Sequence, residues 1–304
     1  MAEVSTNPAV GSHRLGVGAR VIVAVESDEH DSGPIAWAER YARFHDLPML
    51  VVHTYRNAPP PPLLGTTDTG AWVDQRAIQS AASHVAGAVV DRLRAHGVAV
   101  TAMTLQDDAG EGIVTIAHAD DVIVAGTDGH GAIRHFLHGG TVHTLLRHAP
   151  CPVVVVPAGW HSSLADGRGR IVVGYDGTPR SQAALAWAAK EATRTGATLE
   201  ATRAVMPDPS GRDLSTDASV AGSISQQAGT TVDMRTVVST TGGVARSLVT
   251  VARGAELLVL GNHRASWFAA LAAYSVPERA VLDPMCPVAI VPADPILNSS
   301  NNPV

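Results

Sequence analysis

Short apolar runs alternate along this chain with longer segments in which apolar residues recur every three or four positions. Runs such as Val122–Ala125 are continuous rather than alternating, which indicates strands that are covered on both faces of a parallel sheet. The segments between them have the length and the periodicity of amphipathic helices. This alternation predicts an α/β fold, a doubly wound parallel sheet with helices on both faces.

The same succession of elements is predicted twice. In the first half the predicted strands are Arg20–Val25, Pro48–His53, Ala99–Leu105, Val122–Ala125 and Pro152–Val156. The helices between them are predicted near Gly33–His45, Asp74–His96, Gly110–His118 and Thr141–His148. In the second half strands are predicted near Arg170–Tyr175, Thr198–Ala204, Asp233–Val238, Leu257–Leu260 and Pro287–Val291. Each half is therefore expected to form a five-stranded sheet.

Internal repeats support this division. The triplet around Trp37 recurs around Trp187, at an offset of 150 positions (187 minus 37), and Cys151-Pro152-Val153 recurs as Cys286-Pro287-Val288, at an offset of 135 (286 minus 151). The offset changes because the first copy carries an extra proline-rich and glycine-rich stretch after Arg56. The chain is thus a tandem duplication, with domains predicted at residues 18–158 and 168–293.

A glycine-marked loop follows the strand Val122–Ala125. Gly126, Gly129 and Gly131 remove side chains where the chain leaves the strand, so that main-chain N–H groups could reach a phosphate at the start of the next helix. No Gly-Lys-Ser/Thr follows, which excludes a P-loop, and the loop comes too late in its half for a Gly-x-Gly-x-x-Gly fingerprint. The alternative is that these glycines only form turns and a helix start.

The spacing Gly126-x2-Gly129-x9-Gly139, together with Cys151-Pro152-Val153 and the valines after it, resembles the universal stress protein family. ATP-binding members of that family carry Gly-x2-Gly-x9-Gly-Ser/Thr, whereas Gly140 stands here in place of the hydroxyl residue. The resemblance covers nearly the whole chain. It implies strand order 3-2-1-4-5 in each copy, and ATP as the ligand, with Mg²⁺ as a counter-ion for its phosphates.

The resemblance also implies which residues bind the nucleotide, with adenine near the main chain of Thr54 and ribose above residues 24–26. In the first copy they are Ala24, Glu26, Thr54, Gly126, Thr127, Gly129, His130, Gly131, Ala132, Gly139, Gly140 and Thr141; their second-copy counterparts are Gly174, Asp176, Ala204, Gly261, Ser275 and Val276. Arg264 and Tyr274 replace two glycines of the second copy and should hinder backbone approach. We therefore expect the first copy to bind nucleotide more tightly, although acidic residues surround Glu26.

Composition narrows the classes of function. A net charge of -6 provides no basic surface for nucleic acid, and no apolar run is long enough to cross a membrane, so a cytoplasmic protein is expected. The acidic loop after the first strand disfavours an FMN protein. No acidic or cysteine residue stands at ligand spacing from the histidines near the motif, so no metal site is expected. Cys151 and Cys286 occupy equivalent places and are expected to be buried, reduced thiols.

Three functions remain open. The first is a stress-response or regulatory protein in which ATP acts as a bound ligand. The second is a nucleotide hydrolase or adenylating enzyme, which is disfavoured because the sequence shows no nucleophile and base pair and only one lysine, Lys190. The third is a nucleotide-free interaction scaffold. The apolar final strands also predict a homodimer, unless the two copies pair with each other within one chain.

Overall fold

The computed structural model describes residues 18–26, 32–55, 75–106, 108–127, 140–161, 169–205, 218–239, 243–262 and 275–293. The first copy comprises β1 (Val21–Ala24), α1 (Ser32–His45), β2 (Met49–Tyr55), α2 (Gln75–Ala95), β3 (Val100–Gln106), α3 (Ala109–Ile116), β4 (Val122–Thr127), α4 (Thr141–His148) and β5 (Val153–Pro157). The second comprises β6 (Arg170–Gly174), α5 (Pro179–Thr195), β7 (Thr198–Val205), α6 (Ala218–Ala228), β8 (Val232–Val238), α7 (Gly243–Val251), β9 (Leu257–Gly261), α8 (Val276–Leu282) and β10 (Val288–Val291). All ten strands were predicted to within two residues at each end.

The strands form one continuous sheet in the order β3-β2-β1-β4-β5-β10-β9-β6-β7-β8. Within each copy the strands are parallel and follow the order 3-2-1-4-5, which confirms the predicted topology. The two five-stranded sheets are joined by an antiparallel pair between β5 and β10. The final strands thus cover each other's edges within one chain.

The β5–β10 pair is symmetric about a twofold axis. Val154 lies opposite Ala289, which is its own counterpart in the repeat (289 minus 154 is 135), and Val153 and Val155 lie opposite Ile290 and Val288. The two copies therefore associate as the subunits of a homodimer would, but inside one molecule. Because β5 and β10 occupy each other's edges, these strands cannot pair with a second molecule to form a homodimer. A homodimer through another surface stays a prediction.

Two apolar layers, one on each face of the sheet, form the core. Successive strand residues point to opposite faces, so that Val21 and Val23 join one layer and Ile22 joins the other. The first layer continues into the second copy through Ala289 and Val173. The second continues in the same way through Val288 and Leu258. Neither layer is interrupted at the junction between the copies.

Residues of the two copies also meet their counterparts on both faces of the sheet. On one face, Tyr41 Oη of α1 donates a hydrogen bond of 3.1 Å to Glu191 Oε1 of α5 (191 minus 41 is 150). His45 Nε2 lies 2.9 Å from the other oxygen of the buried Glu191. On the opposite face, His143 Nε2 of α4 lies 3.8 Å from Glu278 Oε1 of α8 (278 minus 143 is 135). The twofold axis thus passes between α1 and α5 and between α4 and α8.

Candidate functional site

The candidate site lies at the carboxyl ends of β1 and β4. These strands are parallel neighbours, with Val23 opposite Val124, and their connections leave towards opposite sides of the sheet. In open α/β sheets the crevice at such a switch point is where ligands bind. Ala24 ends β1, and Gly126 and Thr127 end β4, so these predicted site residues leave the sheet side by side.

The neighbouring strand β2 adds Thr54 to this edge. Ala24 lies opposite Val52, and Thr54 lies two residues further along β2. The main chain at Val25 is fixed on both sides: its N–H donates to Val52 O at 2.9 Å, and its carbonyl oxygen lies 2.8 Å from His53 Nδ1. Sequence reasoning missed His53. The sequence feature that could have indicated His53 is a polar imidazole directly after the buried run that ends at Val52.

The start of α4 completes the described part of the site. A helix that connects two parallel strands runs antiparallel to them, so α4 begins at the edge where β4 ends. Its N-cap is Gly140, which provides no side-chain hydrogen bond to the first turn, and Thr141 is the first helical residue. The other predicted residues of the loop lie outside the described residues. They are Gly129, His130, Gly131, Ala132 and Gly139.

At the corresponding helix start in the second copy, side chains of the first turn form the cap. Ser275 is the N-cap of α8, and its Oγ accepts a hydrogen bond from the N–H of Glu278 at 3.4 Å. Glu278 Oε2 in turn accepts from Ser275 N at 2.8 Å and from Ser275 Oγ at 3.0 Å, which completes a capping box. A phosphate here would have to displace a carboxylate. Val276, the other predicted residue, is the first residue of α8.

Asp176 is engaged with the start of α5. Its Oδ1 accepts hydrogen bonds from Thr178 N at 3.0 Å and from Thr178 Oγ1 at 2.6 Å. Burial alone would raise the pKa of Asp176, but the hydrogen bonds from Thr178 and Ser181 outweigh it and hold the pKa below its usual value. Thr178 caps α5, with Pro179 as its first residue. The carboxylate therefore has a local role at the start of α5, and its role in nucleotide binding stays a prediction.

Packing accounts for two predicted glycines of the second copy. A Cβ on Gly174 would lie 2.5 Å from Leu260 Cδ2, and one on Gly261 would lie 2.4 Å from the carbonyl oxygen of Arg180. Gly261 thus needs to be glycine because backbone atoms lie against it, whether or not a ligand is present, whereas at Gly174 leucine methyl groups would have to shift. Ala204, the counterpart of Thr54, lies near the end of β7.

Other side chains in the described ranges provide little chemistry. No group of three or more His, Cys, Asp or Glu residues is placed there to hold a metal ion. Cys151 and Cys286 are free and buried, as predicted. Burial raises the pKa of both thiols to about 12. Among the described helices, none has the length and apolar character required to cross a bilayer.

Two sheets of order 3-2-1-4-5, each with a candidate site at its switch point, define a tandem doubly wound α/β protein of an architecture that nucleotide-binding proteins use. The sequence profile of the universal stress protein family matches residues 19–157 and again residues 167–292. The chain therefore belongs to the universal stress protein family, as a tandem of two family domains.

Several individual proteins are similar to this chain. A universal stress protein of Mycolicibacterium smegmatis is 30% identical over 186 residues, which span 60% of this chain and 62% of the relative, so that less than two thirds of its length is matched. The crystal structure of a universal stress protein from Archaeoglobus fulgidus covers 92% of this chain and 98% of its own, with a TM-score of 0.69 and 15% identity. A universal stress protein in complex with cAMP is 24% identical, covers 42% of this chain and 99% of its own, and has a TM-score of 0.35.

Proposed function

We propose that this chain binds an adenine nucleotide, ATP, at the switch point of the first copy. The observation that carries the proposal is the difference between two helix starts: α4 begins at Gly140 without a side-chain cap, whereas the capping box of Ser275 and Glu278 fills the start of α8. The first turn of a helix has four N–H groups without intrahelical partners. In α4 these groups remain suited to an external anion.

Phosphate chemistry fits this helix start. Hydrogen bonds from main-chain N–H groups to a charged oxygen contribute about 1.5 to 3 kcal/mol each. The helix dipole adds to the attraction for negative charge. The glycine spacing Gly126-x2-Gly129-x9-Gly139 matches that of the ATP-binding family members, and Mg²⁺ on the phosphates would reduce repulsion from Glu26 and the acidic residues after it. These features support the first copy as the principal site.

The proposal includes a regulatory role for the nucleotide, as a ligand in a stress response, rather than rapid turnover. Lys190, the only lysine of the chain, lies exposed on α5 of the second copy and not at the start of α4. The chain therefore places no lysine there of the kind that phosphoryl-transfer enzymes direct at the transferred phosphate. We expect steady-state assays to show ATP hydrolysis far slower than the turnover of kinases, which is about 1 to 100 per second.

The direct test is to denature the purified protein, identify any released nucleotide by mass spectrometry, and then titrate the nucleotide-free protein with ATP by calorimetry. We expect about one ATP for each chain. Gly129→Val should abolish or strongly weaken binding, because a branched side chain would keep the main chain from the phosphates. Gly222→Ala, a glycine substitution in open space on α6, is the control that should bind normally. Unchanged ATP affinity in a folded Gly129→Val protein would overturn the proposed site.

A further inference from the structure

Helix α4 contacts the second copy near both of its ends. Near its C-terminus, Asn262 Nδ2 donates a hydrogen bond of 2.6 Å to the carbonyl oxygen of Leu146. That carbonyl has no intrahelical donor, because the residue four positions later is Pro150, which lacks an N–H. In the first turn, His143 Nε2 lies 3.8 Å from Glu278 Oε1. Asn262 restrains the helix by a hydrogen bond. The approach at His143 is beyond hydrogen-bond distance, and burial lowers the pKa of this imidazole, so it is the weaker of the two contacts.

Both restraining residues lie in the second copy's counterpart of the nucleotide motif. Asn262 directly follows Gly261, and Glu278 belongs to the capping box of α8. The restraint by Asn262 has no return contact: its counterpart Thr127 (262 minus 127 is 135) makes no side-chain hydrogen bond to another described residue. The second copy therefore holds the helix of the first copy, and the first copy does not hold α8 in the same way.

We propose that the second copy acts as a brace, formed by Asn262 and Glu278, that positions α4 and thereby sets the affinity of the first copy for nucleotide. This inference rests on the proposed function, because α4 matters to affinity only if its first turn contacts the ligand. Gly140 supplies no side-chain cap to fix that turn. Its orientation towards a phosphate thus depends on what holds the rest of the helix, and a displacement of about 1 Å is enough to weaken several hydrogen bonds together.

The brace residues would act as positioning residues, not as ligand contacts. Glu278 already accepts two hydrogen bonds from Ser275, so its carboxylate is oriented before any ligand binds. Asn262 contacts the end of α4 remote from the first turn. A purely structural role for the same residues would lower stability without changing affinity, and the two roles can be separated by experiment.

The matched control comes from the other face of the same junction. Tyr41→Phe removes the hydrogen bond from Tyr41 Oη to Glu191 and so weakens the contact between the copies without touching α4. Asn262→Thr installs the residue that the first copy has at this place, and Glu278→Gln removes the charge next to His143. All three variants alter the junction between copies, but only two of them alter the brace.

The experiment measures two quantities on the full chain: amide hydrogen exchange in residues 141–148, and the Kd for ATP by calorimetry. We expect Asn262→Thr to speed exchange in α4 and to weaken ATP binding about twofold to tenfold, as loss of one hydrogen bond would. Glu278→Gln should change both quantities in the same direction but by less, because the approach to His143 is too long for a hydrogen bond. Tyr41→Phe should lower the melting temperature while leaving α4 exchange and the Kd unchanged.

Contrary results fall into distinct classes. Unchanged α4 exchange in Asn262→Thr and Glu278→Gln would overturn the brace, and so would faster exchange with an unchanged Kd. Equal weakening of ATP binding by Tyr41→Phe would also overturn it, since general loosening of the junction would then suffice. If the unaltered protein binds no adenine nucleotide, the proposed function fails, and with it the control of affinity; the exchange result then decides separately whether the second copy holds α4.

Discussion

Gly261 lies where β9 ends against the first turn of α5, close to the main chain of Arg180. A Cβ at this position would come within 2.4 Å of the Arg180 carbonyl oxygen and 2.6 Å of its carbonyl carbon. Both atoms belong to the backbone of a helix, so neither can move aside as a flexible side chain would. The absence of a side chain at residue 261 is therefore a requirement of packing.

We expect Gly261→Ala to destabilise the protein by about 1 to 3 kcal/mol, as overpacking typically does. Gly222→Ala is its control: Gly222 is exposed within α6 and a Cβ there would meet nothing within 4 Å. That change should stabilise by about 0.5 to 1 kcal/mol, since alanine is the better helix former. Urea unfolding of both variants measures the difference, and equal effects would contradict the packing argument.

The two thiols should be inert in the folded protein. A thiolate is the reactive species, and with a pKa of about 12 almost none of either cysteine is ionised at pH 8. We expect no rapid reaction of native protein with a chromogenic disulfide reagent, and reaction of both Cys151 and Cys286 after addition of denaturant. Rapid modification of either residue under native conditions would show that burial does not protect it.

Individual site residues were predictable only where the repeat or a motif marked them. Gly126 and Thr127 are the last two residues of β4, whereas the sequence placed them in the loop directly after the strand. His53, Asn262 and Glu278 were missed, because each acts through a contact with a segment far away in sequence. Spacing along the chain contains no information on which helix faces which across the junction. The same limit explains why the packing role of Gly261 was not foreseen, since Arg180 lies 81 positions earlier (261 minus 180).

At the scale of elements, the helix starts distinguish the two copies. Helix α5 begins with Thr178 as its cap and Asp176 oriented towards it, α8 begins with a capping box, and α4 begins at a glycine. Helix ends need partners for their free N–H groups, and side chains provide them in α5 and α8. Among the helices whose N-cap the structure describes, α3 is also capped by a side chain, Asp108, and α4 is not capped by one. Helix α4 is the one at which the proposed ligand would bind.

Asp176 should contribute stability that depends on pH. Its pKa in the folded state lies below the ordinary value of 3.8, so the ionised form stabilises the fold above that pH and the contribution is lost as the pH falls through the folded-state pKa. We expect Asp176→Asn to lower the melting temperature at pH 7, with a difference that shrinks steadily below pH 3.8. Thermal unfolding across this range measures it; a difference that stays constant down to the lowest pH would argue against the hydrogen bonds from Thr178.

The bounds of the strands were predicted more accurately than the order in which the strands pair. Buried parallel strands such as Val153–Val156 are continuous apolar runs that periodicity detects directly. The order of strands came from the family resemblance, because right-handed crossovers leave several orders open. The pairing of β5 with β10 was foreseen only as an alternative to a homodimer, since an apolar edge strand needs a cover but does not specify which one.

At the scale of the whole molecule, the two copies share one sheet and two continuous apolar layers. Val154 and Ala289 pair at the junction with no exposed surface, and both belong to the same core layer. Separate domains usually meet through smaller and more polar surfaces. The junction of this chain instead resembles the interior of a single domain.

We therefore expect the chain to unfold in one cooperative transition. Trp37 lies in the first copy and Trp187 in the second, so tryptophan fluorescence and circular dichroism report on both. The two probes should give coincident curves in urea, and Tyr41→Phe should shift the midpoint without splitting the curve. Two resolved transitions would show that the copies unfold independently despite their shared core.

The pairing of β5 with β10 bears on the predicted homodimer. The edges of β5 and β10 are both occupied within the chain, which removes the reason for a dimer through these strands. A single 31.5 kDa species across micromolar concentrations would contradict the predicted homodimer altogether.

The residues that face their own counterparts across the twofold axis show what fusion of two subunits makes possible. In an assembly of two identical chains, every substitution at the axis appears twice, so a carboxylate there would meet a second carboxylate. In a fused chain the two positions can change separately, and here tyrosine has come to face glutamate, and histidine to face glutamate. One member of each pair can then be selected for its effect on the other half. Natural selection can therefore make the two halves of a fused chain unequal, which it cannot do in an assembly of two identical chains.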